Sequence, residues 1–120
     1  MYIPKRDREI IKSIEHCINL VTGIDKDVYL DTRKMNRENK VLRYTWIYEV
    51  YNRTLLGTVA ISELIGRNQS NVTRAIQAVN DWKKNTRKKE YILYKEISNE
   101  IKKNFNTRPK EENRLSSAIY

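Results

Sequence analysis

Three glycines and two prolines are all that interrupt 120 residues. So few breakers leave long uninterrupted segments, which favours long helices over a turn-rich all-β fold. The breakers also fall where apolar periodicity stops, at Gly23, Gly57 and Gly66. The expectation is an all-α bundle of about six helices. One domain over residues 1–105 suits the length, with residues 106–120, polar and holding Pro109, as a flexible tail.

The helices read as follows. The first covers 4–21, with Pro4 in a first-turn position and an inward stripe of Ile10, Ile14, Cys17 or Ile18, and Val21. Thr22-Gly23 closes it. Asp25 caps a short second helix through Leu30. A polar, basic loop over 31–37 follows. A third helix spans 38–52. It is apolar nearly all round, the pattern of a central bundle helix. Thr58 caps a fourth helix through Ile65, with Ile61, Leu64 and Ile65 inward. After Gly66 a fifth helix starts near Asn68 or Gln69 and runs to about Trp82. Val72, Ala75, Ile76 and Val79 form its buried stripe. The basic stretch 82–89 connects to a last helix ending near Phe105, with Tyr91, Tyr94, Ser98, Ile101 and Phe105 on one side.

Several chemistries are excluded. One cysteine (Cys17) rules out an internal disulfide and thiolate zinc modules, and one histidine (His16) rules out two-His metal sites. His16 and Cys17 read as packing or surface. No glycine-rich phosphate loop is present, so no nucleotide cofactor is expected, and no carboxylate pair recommends an enzyme. No apolar run is long enough to span a bilayer, and the N-terminal residues lack a signal-peptide stretch. A cytoplasmic protein without a membrane partner is the expectation. Lys and Arg total 24 against 15 Asp and Glu, a net charge of +9, and more than half of that excess lies in residues 80–120. The leading partner is a polyanion.

Residues 58–79 carry the sharpest signal. A short amphipathic helix, a turn with Gly66, and a helix opening on small polar residues make a helix-turn-helix pattern. In such a unit the second helix buries one stripe and presents its start to the major groove. Asn and Gln can bond adenine bidentately, and Ser serves several bases. Asn68, Gln69, Ser70 and Asn71 are suitable types. On residue types alone they serve equally well as helix caps.

These residues carry a resemblance. Gly66-Arg67-Asn68-Gln69-Ser70-Asn71-Val72, then Ala75-Ile76, resembles the G-R-D-H-T/S-T-V…A signature of the DNA-binding domain of the bacterial replication initiator DnaA. Gly23-Ile24-Asp25-Lys26-Asp27-Val28 resembles that family's G-I-x-x-D-L/I. Thr32-Arg33-Lys34 resembles its S-R-K basic loop, and Arg43 matches the Arg of its A-R-Q. The resemblance covers about 10–82. It implies a Trp-repressor-like bundle and double-stranded DNA as partner, in a free-standing module without the family's ATPase domain. It implies Arg33 in the minor groove, Lys34, Arg37 and Arg43 at phosphates, and Ser70 and Asn71 at bases or phosphates; Arg67 matches the Arg of G-R-D-H and would meet phosphate or the minor groove, and Arg43 could equally pair with a carboxylate. Arg74, one turn past Asn71, would reach the groove or the backbone. Asn68-Gln69-Ser70-Asn71 departs from D-H-T-T, and the loop before Arg43 is about two residues longer than the family's.

The expected function is therefore sequence-preferring binding of double-stranded DNA, of the kind used in replication-origin recognition. One alternative is a dimeric helix-turn-helix repressor or antitoxin with Trp46, Tyr48 or Tyr51 at its interface. Another is an interaction module whose basic surface meets acidic replication proteins. The sequence leaves the oligomeric state open.

Overall fold

The computed structural model describes residues 2–31, 33 and 36–105; the expectations for Lys34 and for the 106–120 tail lie outside these. The described residues form six helices and no strands. They are α1 (Lys5–Thr22), α2 (Lys26–Tyr29), α3 (Arg37–Arg53), α4 (Thr58–Ile65), α5 (Gln69–Lys83) and α6 (Lys89–Phe105).

Local chemistry sets the ends. Pro4 stands as the N-cap of α1, one position earlier than a first-turn residue. At the other end Gly23 takes φ 74° and donates its N–H to the Asn19 carbonyl at 2.7 Å. This left-handed residue satisfies a carbonyl that the helix would otherwise orphan. Asp25 caps α2 through its backbone position, while its carboxylate accepts a 2.8 Å bond from the Asn19 amide. Asn36 caps α3, its side-chain oxygen accepting the Asn39 N–H at 2.8 Å. Gly57, not Thr58, is the N-cap of α4; Thr58 is its first residue.

Helix α3 is central. It packs against all five other helices and has no continuous polar face. Leu42, Trp46, Ile47 and Val50 meet Ile14, Cys17 and Ile18 of α1, Ile61 of α4, Val72 and Ala75 of α5, and Ile97 and Ile101 of α6 in one core. A second cluster joins Val41 and Tyr48 to Val79, Trp82 and Tyr94. Within it Tyr48 meets Tyr94 edge-on at 5.7 Å, and Tyr44 stacks on Trp82 at 6.1 Å. Both spacings suit favourable aromatic pairing.

Three expectations change. Trp46 and Tyr48 are buried in these clusters and Tyr51 is half-buried, so the first two offer no surface to a dimer partner. Leu64 is 38% exposed although its spacing from Ile61 suggested an inward position. Helix α4 has only two turns, and Ile61 and Ile65 occupy the side that faces the core. On α6, Ile97 joins Tyr94, Ser98 and Ile101 on the buried side, where the sequence reading had omitted it. His16 is exposed and Cys17 fully buried. Burial is the main cause that raises the thiol pKa, so Cys17 behaves as a small core residue.

Two buried charges of α3 pair along the helix. Arg53 Nε donates to Glu49 Oε2 at 2.7 Å, with both side chains shielded from solvent. Thr54 then ends the helix, its hydroxyl donating to the Val50 carbonyl at 2.6 Å.

Candidate nucleic-acid interface

The junction between α4 and α5 is three residues long. Gly66 takes φ 65°, and the N–H groups of Gly66 and Arg67 donate to the carbonyls of Glu63 and Ser62 at 3.3 and 2.9 Å. An added Cβ at Gly66 would meet nothing within 4 Å, so the backbone alone demands glycine there. Asn68 then turns extended and caps α5. Its side-chain oxygen accepts the Asn71 N–H at 3.2 Å and the Ser70 hydroxyl at 2.7 Å. Gln69 donates its amide to the Thr58 hydroxyl at 2.7 Å, which ties the first turns of α4 and α5 together. Val72, Ala75 and Val79 bury the inner side of α5.

With α5 fixed in this way, four of the expected residues come together. Arg43 of α3, Arg67 of the junction, and Asn71 and Arg74 of α5 line one cleft of about 370 Å³. Lys40, Tyr44, Ile47 and Ile65 complete it. No carboxylate is among these lining residues. The Lys40 ammonium and the Arg43 guanidinium stand 5.5 and 5.8 Å from the centre of the Tyr44 ring. Arg43 is buried. Burial pulls its guanidinium below the usual arginine range; the nearby Tyr44 opposes this and the neighbouring Arg67 cation adds to it. An arginine so placed stays charged at neutral pH. The cleft thus holds clustered positive charge against a partly apolar floor, a setting that concentrates the field on an incoming anion.

The outer face of α5 is polar. Gln69, Ser70, Thr73, Arg74 and Gln77 line a shallow groove along it, and Arg74 borders both groove and cleft. Gln69, Thr73 and Gln77 follow i, i+4, i+8 spacing, so they form one row of hydrogen-bonding side chains.

The other expected residues are placed differently. Asn68 and Ser70 use their side chains on each other and on the helix start. Arg33 is exposed on its loop, with Nε and Nη2 donating to the Asp31 carboxylate at 3.1 and 3.2 Å. Arg37 turns away from the cleft. Its Nη2 and Nε donate to Glu90 Oε1 at 2.6 and 3.1 Å. That bond is the first cause holding the Glu90 carboxyl below the usual range. Lys34 lies outside the described residues.

Lys40, Thr73 and Tyr44 were missed by the sequence reading. Lys40 had a signal, since it stands three residues from both Arg37 and Arg43 and shares their side of α3. Thr73 had one as well, at i+4 from Gln69.

No protein-family model matches the chain, and no curated protein or solved structure is significantly similar to it.

Proposed function

We propose that this chain binds double-stranded DNA with a sequence preference and without catalysis. Helices α4 and α5 act as a helix-turn-helix, with the start of α5 in the major groove. The observation that carries the reading is the cleft where Lys40, Arg43, Arg67 and Arg74 surround Asn71, beside the polar outer row of α5. In this reading the cations hold phosphates that border the groove. Asn71, Gln69, Thr73 and Gln77 meet base edges, and Arg33 serves the minor groove from its loop. Phosphate contacts set position and base contacts set preference. The resemblance of the 66–76 segment to the replication initiator DnaA supports the same orientation. It makes recognition of an origin-like site the favoured biological setting.

Selection of bound duplexes from a random pool, followed by anisotropy titrations across salt, tests the proposal. With Lys40, Arg43, Arg67 and Arg74 at phosphates and Arg33 in the minor groove, about four or five charged contacts form, and log K should fall with log salt at a slope of about −4 or steeper. A slope near zero, or no duplex bound at low salt, overturns the proposal.

A further inference from the structure

Five basic residues where α5 gives way to α6, at 83, 84, 87, 88 and 89, take no part in the site above. A lysine run at a helix junction is ordinarily a solvated surface. Here the junction is tightly folded. The N–H groups of Lys84 and Asn85 donate to the carbonyls of Asp81 and Trp82 at 3.1 and 3.0 Å, and the Lys88 N–H donates to the Asn85 carbonyl at 3.2 Å. Lys83 folds back against the core, its ammonium bonded to the Tyr48 hydroxyl and 5.8 Å from the centre of the Tyr94 ring. Arg87, Lys88 and Lys89 are left exposed on this frame.

The junction and the cleft are the two ends of one surface. Arg37, Lys40 and Tyr44 stand at i, i+3 and i+7, along one side of α3. At one end of that row Arg37 pairs with Glu90, the residue after Lys89. At the other end Lys40 and Tyr44 line the cleft. Tyr44 also stacks on Trp82, which precedes the junction. The two acids beside the junction, Asp81 and Glu90, each face a cation, Lys84 and Arg37.

We infer that the α5–α6 junction is a second phosphate-binding surface for the same duplex, using Arg87, Lys88 and Lys89. This rests on the DNA reading. From Arg67, beside its start, α5 runs about 22 Å to the junction (15 residues at 1.5 Å each), and Arg74, Tyr44 and Lys40 fall between the two ends. At 3.4 Å per base pair that distance is about six or seven base pairs of duplex. A small anion fills one such site. Two sites joined by a basic row fit a ligand that repeats its phosphates over that distance.

The test uses the full chain and a duplex extended about one helical turn beyond the selected sequence on each side. The slope of log K against log salt is measured for the parent and for the triple variant Arg87→Gln, Lys88→Gln, Lys89→Gln. Each lost contact removes about 0.9 from the slope, so a parent value of about −6 to −7 should become about −4. Cutting the parent's duplex back at one end should produce the same flattening, and the cut should leave the triple variant unchanged. The shortened duplex tests the surface even if the variant misfolds. If the parent binds at about −4 and responds neither to the substitutions nor to duplex length, the second surface is refuted while the DNA reading stands. If the parent binds no duplex, both fall. Competition by polyglutamate at the junction, with no effect of duplex length, also refutes the inference and assigns the surface to an acidic protein.

Discussion

Replacing Glu90 by Gln should move stability and DNA affinity in opposite directions. Glu90 Oε1 accepts both Nη2 and Nε of Arg37, at 2.6 and 3.1 Å, and Arg37 is otherwise 76% exposed. Glutamine keeps the shape and removes the charge. A surface pair of this kind contributes up to about 1 kcal/mol, so the variant should lose no more than that at neutral pH. The sign follows from the pKa. The Arg37 bond holds the Glu90 carboxyl below its ordinary value of 4.5. Its stabilisation is therefore complete above that ordinary value and disappears as pH falls through the lower folded value. Urea melts of parent and variant should differ near neutrality and converge in acid. Binding should respond the other way. Arg37, freed from its counterion, gains a phosphate, and the slope of log K against log salt steepens by about 0.9. Between 50 and 200 mM salt the affinity ratio of variant to parent should change about 3- to 4-fold, with the variant favoured at low salt. Anisotropy titrations at those two concentrations measure it. An unchanged slope, or affinity that drops in step with stability, refutes the placement of Arg37 beside a phosphate path.

Asn71→Ala should cost about 1–3 kcal/mol of discrimination for the preferred base pair, whereas Arg74→Ala should weaken all duplexes and flatten the salt slope by about one; competition titrations with matched and mismatched duplexes separate the two. Gly66→Ala should cost about 1–2 kcal/mol, since the left-handed backbone is strained for alanine and the added Cβ meets no atom; the urea midpoint reports it. Arg53→Met should cost about 3–5 kcal/mol by leaving the buried Glu49 without its partner. Adding Glu49→Leu should recover part of that loss in the same denaturation assay.

Helix boundaries were legible because their causes are local. Gly23 and Gly66 end helices, Asn68 starts one, and each acts through bonds to residues within four positions. The central position of α3 was legible too, since a helix apolar on all sides has to be covered on all sides. What escaped the sequence reading depends on distant partners. Arg37 carries the same charge as Arg43, yet it pairs with Glu90, 53 residues later, while Arg43 enters the cleft. Nothing within one turn of Arg37 announces that choice. Trp46 and Tyr48 suit an interface by type, and only the packing of the other helices, α1 on Trp46 and α5 and α6 on Tyr48, shows them to be interior. Leu64 failed for a related reason. Its spacing fits an inward stripe, but α4 is too short and too peripheral to bury more than one narrow side. It lines a surface groove with Ile3 and Ile11 instead.

The burial of α3 also explains why arginine suits the cleft. Along the covered part of α3, from Val41 onward, a charged residue needs an internal partner, an opening in the packing, or both. Glu49 and Arg53 take the first course, four residues apart on one side. Arg43 lines the cleft, where α5 and the Gly66 junction leave an opening above α3. Lysine in that position would face the same burial and the same neighbouring Arg67 cation, both of which lower its pKa. Arginine keeps its charge under both pressures. The same packing that makes α3 the core of the bundle therefore sets a permanent cation in the cleft wall. A phosphate bound there would lie against a charge that the core holds in position rather than one on a flexible surface stem. Rigid placement of that kind costs less ordering on binding than an exposed lysine does. In this architecture the hydrophobic core and the proposed DNA site share one helix, and Arg43 is where they meet.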